Sequence, residues 1–131
     1  MLIDFSLRNF MSYRDEVSLS MVASKTVKEC EDNNGCSNII VTDNGNRYLR
    51  TAAIYGANGS GKSTIVAAMS IFKSIVLKSF VDESIVKRLS DLYYRFDKQS
   101  VDEPVSLQII FVCDKTKYRY GFEVKEGRVL S

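Results

Sequence analysis

The chain has 131 residues, 18 Lys+Arg against 16 Asp+Glu, one Pro, three Cys and neither His nor Trp. That length suits one domain with a real core, and 45% hydrophobic with 26% charged residues is a globular balance that argues against disorder. Without His there is no Ser-His-Asp triad, imidazole ligand or imidazole proton shuttle, and a net charge of +2 exerts no broad pull on nucleic acid or anionic lipid.

Residues 2–10 alternate Ile3, Phe5 and Leu7 against Asp4, Ser6 and Arg8, the period of a half-buried strand. Val17, Leu19 and Met21 alternate again after a turn near residues 12–15, which predicts an antiparallel pair over 1–22. From Ala23 the composition turns polar and predicts a long surface loop. Cys30 and Cys36 fall in it; with Cys113 they fall short of the four ligands of a structural zinc site, so they read as loop thiols. Ile39-Ile40-Val41 leads into Asn44-Gly45, a hairpin signal that closes the segment 23–47. Residues 48–55 end in Thr51-Ala-Ala-Ile-Tyr55, apolar on both faces, as a central parallel strand covered by helices requires. From Lys62 to about Ser79, Ile65, Ala68, Met69, Phe72, Ile75 and Val76 recur at three-and-four spacing and predict a helix. A short helix is expected within 81–92 through Ile85, Val86 and Leu89.

Residues 80–131 read as an antiparallel β lobe. Val105 to Phe111 alternate, a four-residue turn spans 114–117, and Tyr118 to Val124 alternate back. A turn at 126–128 then leads to a third strand, so the chain reads as part of a longer one, a single partial domain over 1–131.

Between the predicted strand and helix, Gly56-Ala57-Asn58-Gly59-Ser60-Gly61-Lys62-Ser63-Thr64 matches the Walker A pattern Gly-x4-Gly-Lys-[Ser/Thr]. Glycines let the loop turn tightly and aim consecutive N–H groups at an anion, and the helix starting at Lys62 points its positive dipole end at the same place. The pattern assigns Lys62 to the β- and γ-phosphates of ATP and the Ser63 hydroxyl to Mg2+. The strand before it and the helix after it separate this reading from a mere glycine turn.

The form Asn-Gly-Ser-Gly-Lys-Ser-Thr is similar to the Walker A of ABC-type ATPases, and Leu7-Arg-Asn-Phe-Met-Ser-Tyr13 resembles the opening of RecF, SMC-like and OLD-type heads. With Tyr118-Arg-Tyr-Gly-Phe122, the chain resembles the AAA ATP-binding proteins of prokaryotic abortive-infection, anti-phage systems. The resemblance implies an α/β P-loop fold with an antiparallel β lobe, ATP and Mg2+ as cofactors, and Asn58 beside the γ-phosphate. It also implies that the Asn-Phe-x-Ser turn approaches the nucleotide, that a second head pairs around it, and that an effector protein is driven. Met11 stands where relatives often carry Lys or Arg, which leaves Arg8 or Arg14 as substitutes.

A Leu-Ser-Gly-Gly signature and an acidic Walker B pair are missing from the sequence, so hydrolysis by this chain alone is not expected. Ile109 to Asp114 has the Walker B outline, and the alternative reading is a compact P-loop kinase or NTPase with Asp114 on Mg2+. Strand alternation on both sides, and Lys115 in place of Glu, make Asp114 a turn residue instead. A non-enzymatic nucleotide-binding fragment that sequesters partners is the third reading. Gln108 is mid-strand rather than a Q-loop glutamine, and Lys73, Lys78, Lys87 and Arg88 read as a solvated face rather than a nucleic-acid patch. Self-association or a second head is the expected partner. No apolar run approaches the roughly 18 residues of a membrane span, and Asp4 and Arg8 break the N-terminus where a secretory signal needs apolar residues. Cytoplasmic residence with reduced thiols is the expectation.

Overall fold

A computed structural model describes residues 1–26, 28, 37–78 and 84–130. Strands β1 (Leu2–Arg8), β2 (Val17–Ser20), β5 (Val105–Cys113), β6 (Thr116–Lys125) and β7 (Arg128–Val129) form one antiparallel sheet in the order β2-β1-β5-β6-β7. The first strand pair and the last third of the chain therefore share a single sheet, joined by β1 and β5 from Leu2↔Phe111 to Arg8↔Ser106. The register lines up Leu7, Leu107 and Phe122 on one face and Ser6, Gln108 and Gly121 on the other.

The apolar face is covered by α1 (Lys62–Lys78) and α2 (Ser84–Ser90). Ile65, Ala68, Phe72 and Ile75 of α1 enter the core with Phe5, Leu7, Phe10, Leu89, Leu107 and Phe122. Phe72 sits at its centre, stacked on Phe122 with centroids 5.1 Å apart and edge-on to Phe5 at 5.9 Å. Val76, placed in the apolar stripe by spacing, is exposed, while its neighbour Ile75 is buried. Ser79, the expected helix end, lies outside the described residues, as do Cys30, Cys36 and the start of the 81–92 segment.

A second small sheet is the hairpin β3 (Ile39–Val41) and β4 (Arg47–Leu49), turning through Gly45 at φ +76°. Leu49 N–H donates to Met21 O at 2.7 Å and Ala23 N–H to Arg47 O at 3.0 Å, fastening the hairpin to the chain leaving β2.

Three expectations are corrected. Residues 48–55 do not form a central parallel strand: β4 ends at Leu49 in an antiparallel hairpin, and residues 51–57 have no regular structure and are exposed, Tyr55 to 90%. An apolar stretch becomes a central strand only where neighbours bind both its edges, and among the described residues both sheets are antiparallel. The expected four-residue turn at 114–117 is a two-residue turn, Asp114 at φ 48° and Lys115 at φ 64°, with Thr116 already paired to Cys113. Two left-handed residues match the twist of a tight hairpin, and Asp tolerates that region better than most. Finally, residues 80–131 are not strands alone: α2 falls where the short helix is expected, and a 3-10 helix, Lys98–Asp102, stands between it and β5.

Candidate nucleotide site

Residues 56–60 are exposed, and the loop turns buried at Gly61, directly before α1. Gly59 and Gly61 adopt φ +83° and +89°, a region open to glycine at little cost. At Gly61 a side chain is excluded twice over, since a Cβ there would meet the Tyr13 ring at 2.8–3.2 Å. Lys62 folds back over the loop: its Nζ donates to Gly56 O at 2.8 Å, to Ala57 O, and to Ser60 Oγ at 3.4 Å. Ser63 is exposed and Thr64 buried, with Thr64 N–H donating to Gly61 O at 2.9 Å. These features fit a triphosphate with Mg2+: the N-terminus of a 17-residue helix, no Cβ at the tightest points, an ammonium already folded over the loop and an exposed hydroxyl.

The loop is braced by the turn after β1. Ser12 Oγ and Thr64 Oγ1 share a hydrogen bond at 3.2 Å, and Tyr13 lies against Gly61. Asn9 and Met11 are both left-handed, at φ 51° and 47°. Asn9, 1% exposed, donates through Nδ2 to Ser100 O at 2.8 Å and Glu103 O at 2.9 Å, and its Oδ1 accepts from Tyr94 N–H at 3.1 Å. Met11 N–H donates to Leu92 O at 2.7 Å, and Phe10 is wholly buried. The Asn-Phe-x-Ser turn thus stands between the phosphate loop and the segment 92–104. Asn9 and Phe10 are its anchors, and Ser12 and Tyr13 face the loop. The approach of this turn to the loop is what the resemblance implies; the anchoring by Asn9 and Phe10 is not foreseen in the sequence, although an Asn-Phe pair directly after a strand was the available signal.

The proposed substitutes for a basic residue at position 11 are both engaged elsewhere. Arg8 pairs with Glu103 at 2.8 Å, and that hydrogen bond, with nearby acidic charge, raises its already high pKa. Arg14 meets Asp97 Oδ2 at 2.8 Å, a charge contact without a well-aligned hydrogen bond. Asp114 sits in its turn at the Cys113 end of β5, whereas Arg8, which leads into the bracing turn, pairs near the Val105 end. Seven residues of strand at about 3.4 Å each make a gap of about 25 Å, too far for a shared Mg2+ with Ser63. Gln108 lies mid-strand on the open face, accepting from Arg119 Nε at 2.7 Å. Lys73, Lys78, Lys87 and Arg88 are exposed, and Cys113 is an exposed free thiol.

Residues 52–131, more than half of the chain, match the model of a protein family described as "AAA domain, putative AbiEii toxin, Type IV TA system". The chain belongs to this family. Comparison with curated proteins gave no match. The match starts just ahead of the glycine loop and runs through α1, α2 and the β5–β7 meander, so the loop and its helix lie within the AAA domain and the bracing turn precedes it. Among the described residues of this AAA domain no helix is long and apolar enough to cross a membrane.

Proposed function

We propose that residues 56–64 bind the triphosphate of ATP together with Mg2+, and that this AAA domain is the ATP-binding portion of an ABC-type head of the RecF, SMC and OLD kind. The anti-phage or DNA-maintenance setting extends the family description. The observation that carries the reading is an exposed glycine loop, left-handed at Gly59 and Gly61, set on the N-terminus of a helix that buries Ile65, Ala68, Phe72 and Ile75 in the core. Bound Mg2+ supplies charge neutralisation on the phosphates. Lys62 would leave the Gly56 and Ala57 carbonyls for the β- and γ-phosphates, Ser63 would turn its hydroxyl to the metal, and Asn58 would stand by the γ-phosphate. Amides of 59–64 would cradle the rest.

Among the described residues a water-orienting group and a second source of transition-state charge have no candidate in contact with this loop, so hydrolysis is assigned to a pair of heads rather than to one chain. Cytoplasmic residence and an effector protein belong to the same reading.

Calorimetry with Mg2+ and ATP tests it. Lys62→Ala should lose a charged hydrogen bond worth roughly 1.5–3 kcal/mol, a weakening of ten- to a hundredfold. Equal affinity of wild type and Lys62→Ala would refute the site.

A further inference from the structure

We infer that Tyr94 and Phe96 form a platform on which the base of the bound nucleotide stacks, an inference that rests on the phosphate-loop reading above. Phe96 is 87% exposed, yet its ring is held 5.6 Å from that of half-buried Tyr94 at an angle of 57°. Tyr94 is fixed from the backbone, its N–H on Asn9 Oδ1. Asp97, next to Phe96, accepts from Gln99 N–H through Oδ1 at 3.2 Å, and its Oδ2 has a charge contact with Arg14 at 2.8 Å. Arg95 between them folds back onto Asp91 O and over the Tyr93 ring, clear of the pair. An exposed phenyl ring on so constrained a backbone presents a ready-made apolar face.

The platform and the phosphate loop are mounted on the same turn. Tyr13 touches Gly61, and its neighbour Arg14 grips Asp97. A nucleotide anchored by its phosphates at the start of α1 extends its base away from the loop, and the bracing turn that touches Gly61 through Tyr13 also holds the aromatic pair through Asn9 and Arg14. Every base offers a π face, and stacking on an aromatic ring does not read base edges. The platform therefore accepts adenine and guanine nucleotides alike and contributes to affinity without selecting between them.

Calorimetry with Mg2+ and ATP, GTP or inorganic triphosphate separates the two halves of the site. Phe96→Ala should weaken ATP and GTP roughly tenfold, the loss of one stacking contact, and leave triphosphate unchanged; Lys62→Ala should weaken all three. The chain has no Trp, so Phe96→Trp adds a lone fluorophore whose emission ATP should quench and triphosphate should not. Unchanged ATP affinity in Phe96→Ala, or an equal loss for triphosphate, overturns the platform and leaves the phosphate loop standing. If wild type binds no triphosphate, or Lys62→Ala changes nothing, the phosphate-loop reading falls and the platform with it.

Discussion

Asn9 shapes the surroundings of this site without belonging to the glycine loop. It accepts one hydrogen bond and donates two from a position 1% exposed, in a left-handed conformation that Asn tolerates better than most residues. Asn9→Ala takes a hydrogen bond from each of Tyr94 N–H, Ser100 O and Glu103 O, all at least partly buried, and adds backbone strain, so it should cost about 3 kcal/mol, read as a lowered urea midpoint. A wild-type midpoint would mean that the 92–104 segment is held by other contacts. Asp4 behaves in the opposite sense. Burial first and the nearby charge of Glu16 second raise its pKa above 3.8, so the folded chain holds that proton more tightly than the unfolded chain. Ionisation then costs stability as pH rises through the interval above 3.8. Asp4→Asn should therefore be more stable than wild type at pH 7, with the difference shrinking as pH falls through the interval above 3.8; a difference that grows on acidification would contradict the assignment.

At the level of elements, alternation and turn chemistry made most of this fold legible. The strands at 2–8, 105–113 and 116–125 carry their period openly, and the helix from Lys62 shows its stripe. The segment 48–55 misled because an apolar run states a need for burial but not who supplies it; here Ile54 and Tyr55 stay exposed. The bracing turn was illegible for another reason: its contacts reach 85 to 94 residues along the chain, to Tyr94, Ser100 and Glu103, and no local period records them. The place of the glycine loop, directly ahead of α1, was legible because its pattern is local. The β5–β6 turn offers an element-scale prediction. Lys115 is left-handed, and its ion pair with Asp43 is nearly fully exposed and worth little. Lys115→Gly should therefore raise stability by about 0.5–1 kcal/mol through relief of the turn. Asp114→Asn in the same turn should leave Mg2+-dependent ATP binding unchanged; its loss would revive Asp114 as a metal ligand.

For the whole molecule, the distribution of apolar surface has a direct outcome. Tyr55, Leu77 and Tyr120 are at least half exposed. Phe72, Val76, Ile109, Phe111, Tyr118 and Tyr120 line an open apolar hollow of about 450 Å³. Beside it, β7 pairs only with Val124 and Lys125, which leaves the outer edge of β6 over 116–122 without a partner among the described residues. Open edges and apolar hollows recruit other chains. Sedimentation coefficients should rise with protein concentration, and Leu77→Lys with Tyr118→Lys should reduce the rise; a concentration-independent monomer would contradict this. The sheet order also has a temporal meaning. β1 has β2 beside it within twenty residues, but its other neighbour, β5, enters the chain only about a hundred residues later. At about 5–20 residues per second of synthesis, the opening strand waits about 5–20 s for that neighbour. During this interval Phe5 and Leu7 have no finished core, and the nascent chain depends on whatever shields them at the ribosome.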